Sequence, residues 1–289
     1  MTALLNTVSI ATPVRRRGSI SVPTVTLAHG GGGSAMRNLI DDVFVSVFDN
    51  PVLAPLEDQA RFPLAELSRL GDRLAFTTDS YVVDPLFFPG GDIGKLAVCG
   101  TINDLAVGGA IPLYLTCSAI IEEGLEVDTL RALAKSMASA AAGAGVSIVT
   151  GDTKVVHKGT CDKLFLNTAG IGIIREGVNL GADRCRPGDA VLVNGLLGDH
   201  GAAILNARGD MALSTAIESD CAALHGLIAE LLVAAPSTRF IRDATRGGLA
   251  TVLNEAARAS GVGVEIWETA TPMREALRDP GSRSALPCQ

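Results

Sequence analysis

Residues 77–115 read TTDSYVVDPLFFPGGDIGKLAVCGTINDLAVGGAIPLYL, and the backbone period changes twice within them. The β-branched and aromatic residues ending near Val83 close a strand that begins with DRLAF, and Pro85, Pro89, Gly90 and Gly91 break the chain into turns. From Lys95 to Val107 the pattern is helical, and Gly108, Gly109 and Pro112 stop it. LYLTCSAII, residues 113–121, is a continuous apolar run of strand length. Strand, loop, helix and strand in this order predict an α/β fold.

The flanks repeat the theme. Upstream, Thr24–Leu27 predicts a strand, and HGGGG at 29–33 feeds an amphipathic segment. Downstream, Leu130, Leu133 and Met137 share one stripe of a helix that ends in glycines at 143–145. Strands are expected at VSIVTGD (146–152), KLFLNTAGIGII (163–174) and RPGDAVLVNG (186–195). Leu224, Leu227, Ile228, Leu231 and Leu232 mark another helix. Leu249, Val252, Leu253 and Ala256 mark the next, ended by Gly261. KGTCDK at 158–163 interrupts the apolar pattern and sets the expected division: an extension with a first strand over 1–28, an N-terminal domain over 29–162 and a C-terminal domain over 163–289.

The 289 residues are 47% hydrophobic and 19% charged, enough for a sizeable core. Aromatics supply only 4%, so that core is aliphatic and closely packed around 32 glycines. A net charge of -7 argues against a nucleic-acid partner. Arg15-Arg16-Arg17 reads as a solvated turn. Six cysteines without a C-x-x-C pair or a histidine at metal spacing weaken zinc and disulfide readings. With no secretory pattern and no membrane-length apolar run, a cytoplasmic chain with reduced thiols is expected.

The informative residues are aspartates at glycine-rich turns and strand ends: Asp58, Asp79, Asp92, Asp104, Asp152 and Asp243. Carboxylates converging from separate loops suit a hard divalent cation that bridges nucleotide phosphates. Lys95 and Lys154 are placed to add positive charge, and glycine-turn N–H groups to complete a phosphate cradle. Capping and turn formation are the bland roles for each Asp taken alone. GGDIGKL is no P-loop, because Pro89 stands where the first glycine belongs and Leu96 follows the lysine. GGGGSAM fails the dinucleotide fingerprint at Ala35. Of the histidines, His29 and His200 read as turn stabilisers and His225 as structural.

Five segments, the 77–115 block together with IIEEG, IVTGDTKVV, GDHGAAIL and RDATRGGLATVLNE, resemble the HypE family of hydrogenase maturation proteins. These are carbamoyl dehydratases, in the ATP-binding superfamily of aminoimidazole ribonucleotide synthetase, selenophosphate synthetase and thiamine-monophosphate kinase. The resemblance covers residues 24 to 275. It implies two α/β domains, an N-terminal ATP-binding sheet that forms a barrel-like homodimer core, and the cofactors ATP and Mg2+. Asp58, Asp104 and Asp243 then match magnesium ligands. Asp79, Asn103, Asp152 and Thr153 match positions around the nucleotide, and Gly31 and Gly32 belong to a loop that closes over phosphates. Lys154 is the GDTK lysine, a candidate for proton removal.

The implied partners are a HypF-like carbamoyltransferase, which loads a cysteine thiol, and an iron-carrying HypC–HypD-like complex, which receives the cyano group for an [NiFe]-hydrogenase. In the family pattern an Asn-Glu-Gly segment and a terminal Pro-Arg-x-Cys follow. This sequence ends in LPCQ, so the C-terminal domain is expected to be incomplete and Cys288 is the candidate carrier thiol. A protein that binds ATP and dimerises without chemistry is the alternative, and another superfamily synthetase or kinase is a second. The glycine loop HGGGGSAMR has no Cys of the kind selenophosphate synthesis needs.

Overall fold

In a computed structural model, which describes residues 17–210, 217–245 and 247–278, Asp92 sets where the central helix begins. Its Oδ1 accepts from the backbone N–H of Gly94 (2.8 Å) and Lys95 (2.9 Å), satisfying donors that have no intrahelical partner. Helix α3 therefore spans Ile93–Val107, starting two residues before the apolar pattern alone suggests. Shorter α1 (Gly33–Leu39) and α2 (Leu64–Leu67) precede it.

A sheet carries this helix. Strands β1 (Arg73–Tyr81), β4 (Ala110–Glu122), β5 (Ser147–Val156) and β6 (Leu164–Ile174) run in the order β1-β6-β4-β5. The two-residue strands β2 (Phe87–Phe88) and β3 (Gly91–Asp92) pair separately. β4 and β5 are parallel and joined through helix α4 (Val127–Gly143), whereas β6 is antiparallel to both β1 and β4. Pro112 is tolerated inside β4 because the ladder to β6 shifts register between Pro112 and Tyr114.

Helices α3 and α4 pack on each other, and α3 lies across β1, β6 and β4. Ile93, Ile102, Leu115, Ile121, Leu130, Leu133, Met137 and Leu164 are fully buried, and each such side chain contributes roughly 1.5–3 kcal/mol. The helices approach closely at Gly94, where a Cβ would meet the Leu133 carbonyl oxygen at 2.7 Å. The other face of the sheet stays uncovered, with Leu74 and Phe76 of β1 exposed by 61% and 68%.

Three expectations change. The predicted strand at 24–27 is reduced to one bridge, Thr24 to Glu126, followed by a 3-10 turn over Leu27–His29. The Thr26 N–H donates to His29 Nδ1 (2.9 Å) rather than to a ladder. A division after residue 162 would cut away β6, the strand between β1 and β4, so the sheet extends to Ile174. The predicted strand at 186–195 forms no ladder, and Leu192 is 84% exposed. Alternating apolar residues become a strand only where a neighbouring edge takes their N–H and C=O groups.

The second half is built among the described residues from α5 (Asp199–Arg208), α6 (His225–Ala234), α7 (Gly248–Ser260) and the short α8 (Glu275–Arg278). Arg274 Nε reaches both oxygens of buried Asp199 at 2.9 Å, tying α5 to the segment before α8. No helix among the described residues is long and apolar enough to cross a membrane. Leu133→Ala, at the contact of the two central helices, is expected to cost about 2–5 kcal/mol in denaturant unfolding, with the slope m unchanged.

Candidate active site

Along β1 the side chains alternate, so Thr77, Asp79 and Tyr81 turn to the α3 side while Phe76 and Thr78 turn away. On α3, Asp104 lies in the last turn, where the partial negative charge of the helix C-terminus adds to its own. Asp243 comes from the loop before α7 and accepts from Thr245 Oγ1 (2.7 Å). Asp79 and Asp243 both act on Asp104. Burial first, then the charges of Asp243 and Asp79, push Asp104 up to about 6. Thr77 Oγ1, donating to Asp104 Oδ2 at 3.2 Å, and the Arg242 guanidinium pull the other way. Behind them runs a hydroxyl chain. Tyr81 Oη meets Thr101 Oγ1 at 3.3 Å, Thr101 meets Thr168 at 2.5 Å, and Thr168 donates to the Ala97 carbonyl.

Asp152, Thr153 and Lys154 follow one another on β5. Asp152 and Lys154 are exposed on one face and ion-paired at 2.9 Å, and Thr153 between them is buried with its Oγ1 unpartnered. The glycine run reaches this same strand: a Cβ on Gly30 would stand 2.9 Å from Val155. Gly31 and Gly32 beyond it meet nothing closer than 3.8 Å, and Gly32 sits at φ 83°. The loop thus starts from a fixed point beside Lys154 and runs into open space.

The remaining predicted residues have more particular positions. Lys95 Nζ donates to the Gly90 carbonyl (2.9 Å). Asn103 uses both ends of its amide on the backbone of the second half, donating to Ala222 O (2.9 Å) and accepting from Leu224 N (2.8 Å). It therefore ties α3 to the segment before α6. Asp58 is exposed on the loop whose Phe62 stacks on Tyr114 (3.9 Å), and its charge is not among those acting on Asp104. No group of three or more His, Cys, Asp or Glu among the described residues has metal-binding geometry. Cys288 lies outside the described residues.

Sequence reasoning passed over Thr77 and Arg242, both of which tune Asp104. The signal for Thr77 was its two-residue spacing from Asp79 on a strand; Arg242 is simply the neighbour of Asp243.

Two family models match the chain: the AIR synthase related protein N-terminal domain over residues 57–174 and its C-terminal domain over 186–285. Carbamoyl dehydratase HypE of Rhodobacter capsulatus is 61% identical over 250 residues, covering 86% of this chain and 73% of that protein. The Escherichia coli protein of the same name is 56% identical, covering 88% and 75%. A crystal structure of HypE in complex with ATP superposes with a TM-score of 0.83 at 49% identity, over 88% of this chain and 74% of that one. The chain belongs to the carbamoyl dehydratase HypE family and spans about three-quarters of the length of these relatives.

A carboxyl group whose proton is held more tightly in the fold than in the unfolded chain destabilises the fold once ionised. Stability is then lost as pH rises from the ordinary range near 4 through 6. Asp104→Asn is therefore expected to stabilise the nucleotide-free protein at pH 7.5. The gain is about 1 kcal/mol once screening at a half-exposed group is allowed for. Melts between pH 4 and 8 should show that advantage vanish below about pH 4.

Proposed function

We propose that the chain is an ATP- and Mg2+-dependent carbamoyl dehydratase that makes a protein-bound thiocyanate for [NiFe]-hydrogenase assembly. The observation that carries this is Asp104, whose carboxyl is pushed up by burial and by the charges of Asp243 and Asp79. A carboxylate made unfavourable by its neighbours' charges becomes favourable beside a divalent cation. Hard carboxylate oxygens suit Mg2+ in chemistry, and because no described group already has metal-binding geometry, an ion would have to draw Asp104 and Asp243 together, with Asp58 as a further ligand from its exposed loop. When bound, the ion neutralises charge on the transferring phosphoryl group.

In the proposed reaction the carbamoyl oxygen of a cysteine thiocarbamate takes the γ-phosphoryl group of ATP, ADP leaves and one N–H proton is lost. Loss of the second N–H proton and departure of phosphate leave S–C≡N, so the elements of water end in the phosphate. The open glycine run at Gly31 and Gly32, Lys95 and the Asp152-Thr153-Lys154 segment line the nucleotide side. Lys154, held by Asp152, is the candidate for moving the nitrogen protons. Cys288 is the candidate carrier thiol.

Other relatives point to partners. A structure of a HypE–HypF complex superposes with a TM-score of 0.70 at 49% identity, which supports a HypF-like carbamoyltransferase as the donor. A HypC–HypD-like complex carrying iron is the acceptor this chemistry requires. The exposed apolar face with Leu74, Phe76 and Ile120 supports a homodimer whose two sheets close into a barrel-like core in the cytoplasm.

With HypF-like partner and carbamoyl phosphate, the chain should hydrolyse ATP and gain a carbamoyl and then a cyano mass on one cysteine. Asp104→Ala should lower turnover at least 100-fold. Lys154→Ala should block the cyano product while ATP binding persists. Nucleotide binding without any turnover in the wild type would instead favour a non-catalytic ATP-binding protein. Phe76→Asp should convert a dimer into a monomer by light scattering, and an unchanged mass would rule out this face as the interface.

A further inference from the structure

Cys99 stands on α3 one turn after Lys95 and one turn before Asn103, so the three share a face of the helix. The segment 219–224 of the second half crosses that face and is fastened on both sides of Cys99. On one side the Ser219 N–H donates to the Pro89 carbonyl at 2.8 Å, and a Cβ on Gly90 would meet the Ser219 backbone oxygen at 2.6 Å. On the other side Asn103 holds Ala222 and Leu224. Between these points the Cys221 N–H donates to Ser219 Oγ (3.2 Å), and the Cys221 and Cys99 thiols are each the strongest influence on the other's proton affinity. Both cysteines are free; Cys99 is buried and Cys221 partly exposed. The function described above uses neither.

We propose that Cys99 and Cys221 form a reversible redox site, oxidised by a small-molecule disulfide to an intramolecular disulfide that locks segment 219–224 onto α3. One protein thiolate attacks the small disulfide RSSR, forming a mixed disulfide and releasing RS−. The second protein thiolate then displaces the remaining RS−, and the two displaced thiolates take up the two protons the protein has lost. The net change is two protein thiols plus RSSR to one protein disulfide plus two RSH. The partly exposed Cys221 side is the route of access. The Cys221 thiol, and secondarily the nearby Lys95 charge, hold the Cys99 thiol below its ordinary range against its burial, while Cys99 and burial push the Cys221 thiol up, so Cys99 is the attacking thiolate and Cys221 the resolving thiol. Cys117 is the contrast: it lies against Met137 Sδ at 3.9 Å, and burial pushes its thiol up to about 12.

The test treats the reduced full chain with oxidised glutathione and maps peptides by mass spectrometry without reduction. A Cys99–Cys221 cross-linked peptide is expected before glutathione accumulates on Cys161 or Cys185. The melting temperature should rise by about 5 °C or more, because closing so long a loop restricts the unfolded chain, and dithiothreitol should reverse it. Cys221→Ser, at the partly exposed position, should abolish both the cross-link and the rise. Persistent glutathione on Cys221, oxidation confined to Cys161 and Cys185, or a cross-link that leaves the melting temperature unchanged would each overturn the proposal.

Discussion

The carboxylate of Asp92 decides the phase of the helix that everything else is measured from. Its Oδ1 caps α3, and its Oδ2 accepts from Ser136 Oγ on α4 at 2.5 Å. A single cap of this kind is worth about 1 kcal/mol, but its geometric consequence is larger. Starting α3 at Ile93 puts Ile93, Ala97, Ile102 and Leu105 toward the sheet and α4. Lys95, Cys99 and Asn103 then turn toward the second half, and Asp104 toward β1. Helix rotation by one residue would move Asp104 away from Thr77 and Asp79, and Asn103 away from the backbone it clamps.

Elements with a strong local period were legible in the sequence. α4 was visible from Leu130, Leu133 and Met137, and β6 from its apolar run, because the neighbours that bury these residues reward the same period the chain already carries. The failures share one cause. At Thr24–Leu27 a nearby histidine captured the N–H a strand needs. At residues 186–195 the pattern suited a strand, but no described edge pairs with it. A one-dimensional pattern records what a segment can become, and the hydrogen-bond partner decides what it does become. The boundary expected near residue 162 failed similarly, since the polar KGTCDK turn separates β5 from β6 without separating two cores.

The site was legible in kind and not in arrangement. Aspartates beside glycine turns suggested a cation and phosphates, but nothing in their spacing said that Asp79, Asp104 and Asp243 would meet. Resemblance to a family grouped Asp104 and Asp243 with Asp58, whereas the charges that act on Asp104 in the structure are those of Asp243 and Asp79. Asn103, placed around the nucleotide by the resemblance, has a further role the sequence did not show, since both of its amide atoms hold the backbone of residues 222–224. Cys99 and Cys221 lie far apart in sequence and in no motif, so their meeting is visible only in three dimensions.

That clamp and the carboxylate group explain each other. Asp79 and Asp104 belong to the first half and Asp243 to the second, so part of the charge that pushes Asp104 up acts between the halves. The Asn103 hydrogen bonds, the Ser219 contact to Pro89 and the edge-to-face packing of Phe88 on His200, with ring centroids 5.5 Å apart, hold the halves together. None of these contacts is an ion pair, and the charged contact beside them, Arg208 Nε donating to the Asp84 carbonyl, is made to a neutral backbone group. A cation beside Asp104 would relieve the charge its neighbours impose on it, but no described group of carboxylates is already set in metal-binding geometry, so such an ion would have to gather its own ligands. Were the joint built on ion pairs instead, any charged ligand entering between the halves would compete for those charges and loosen it.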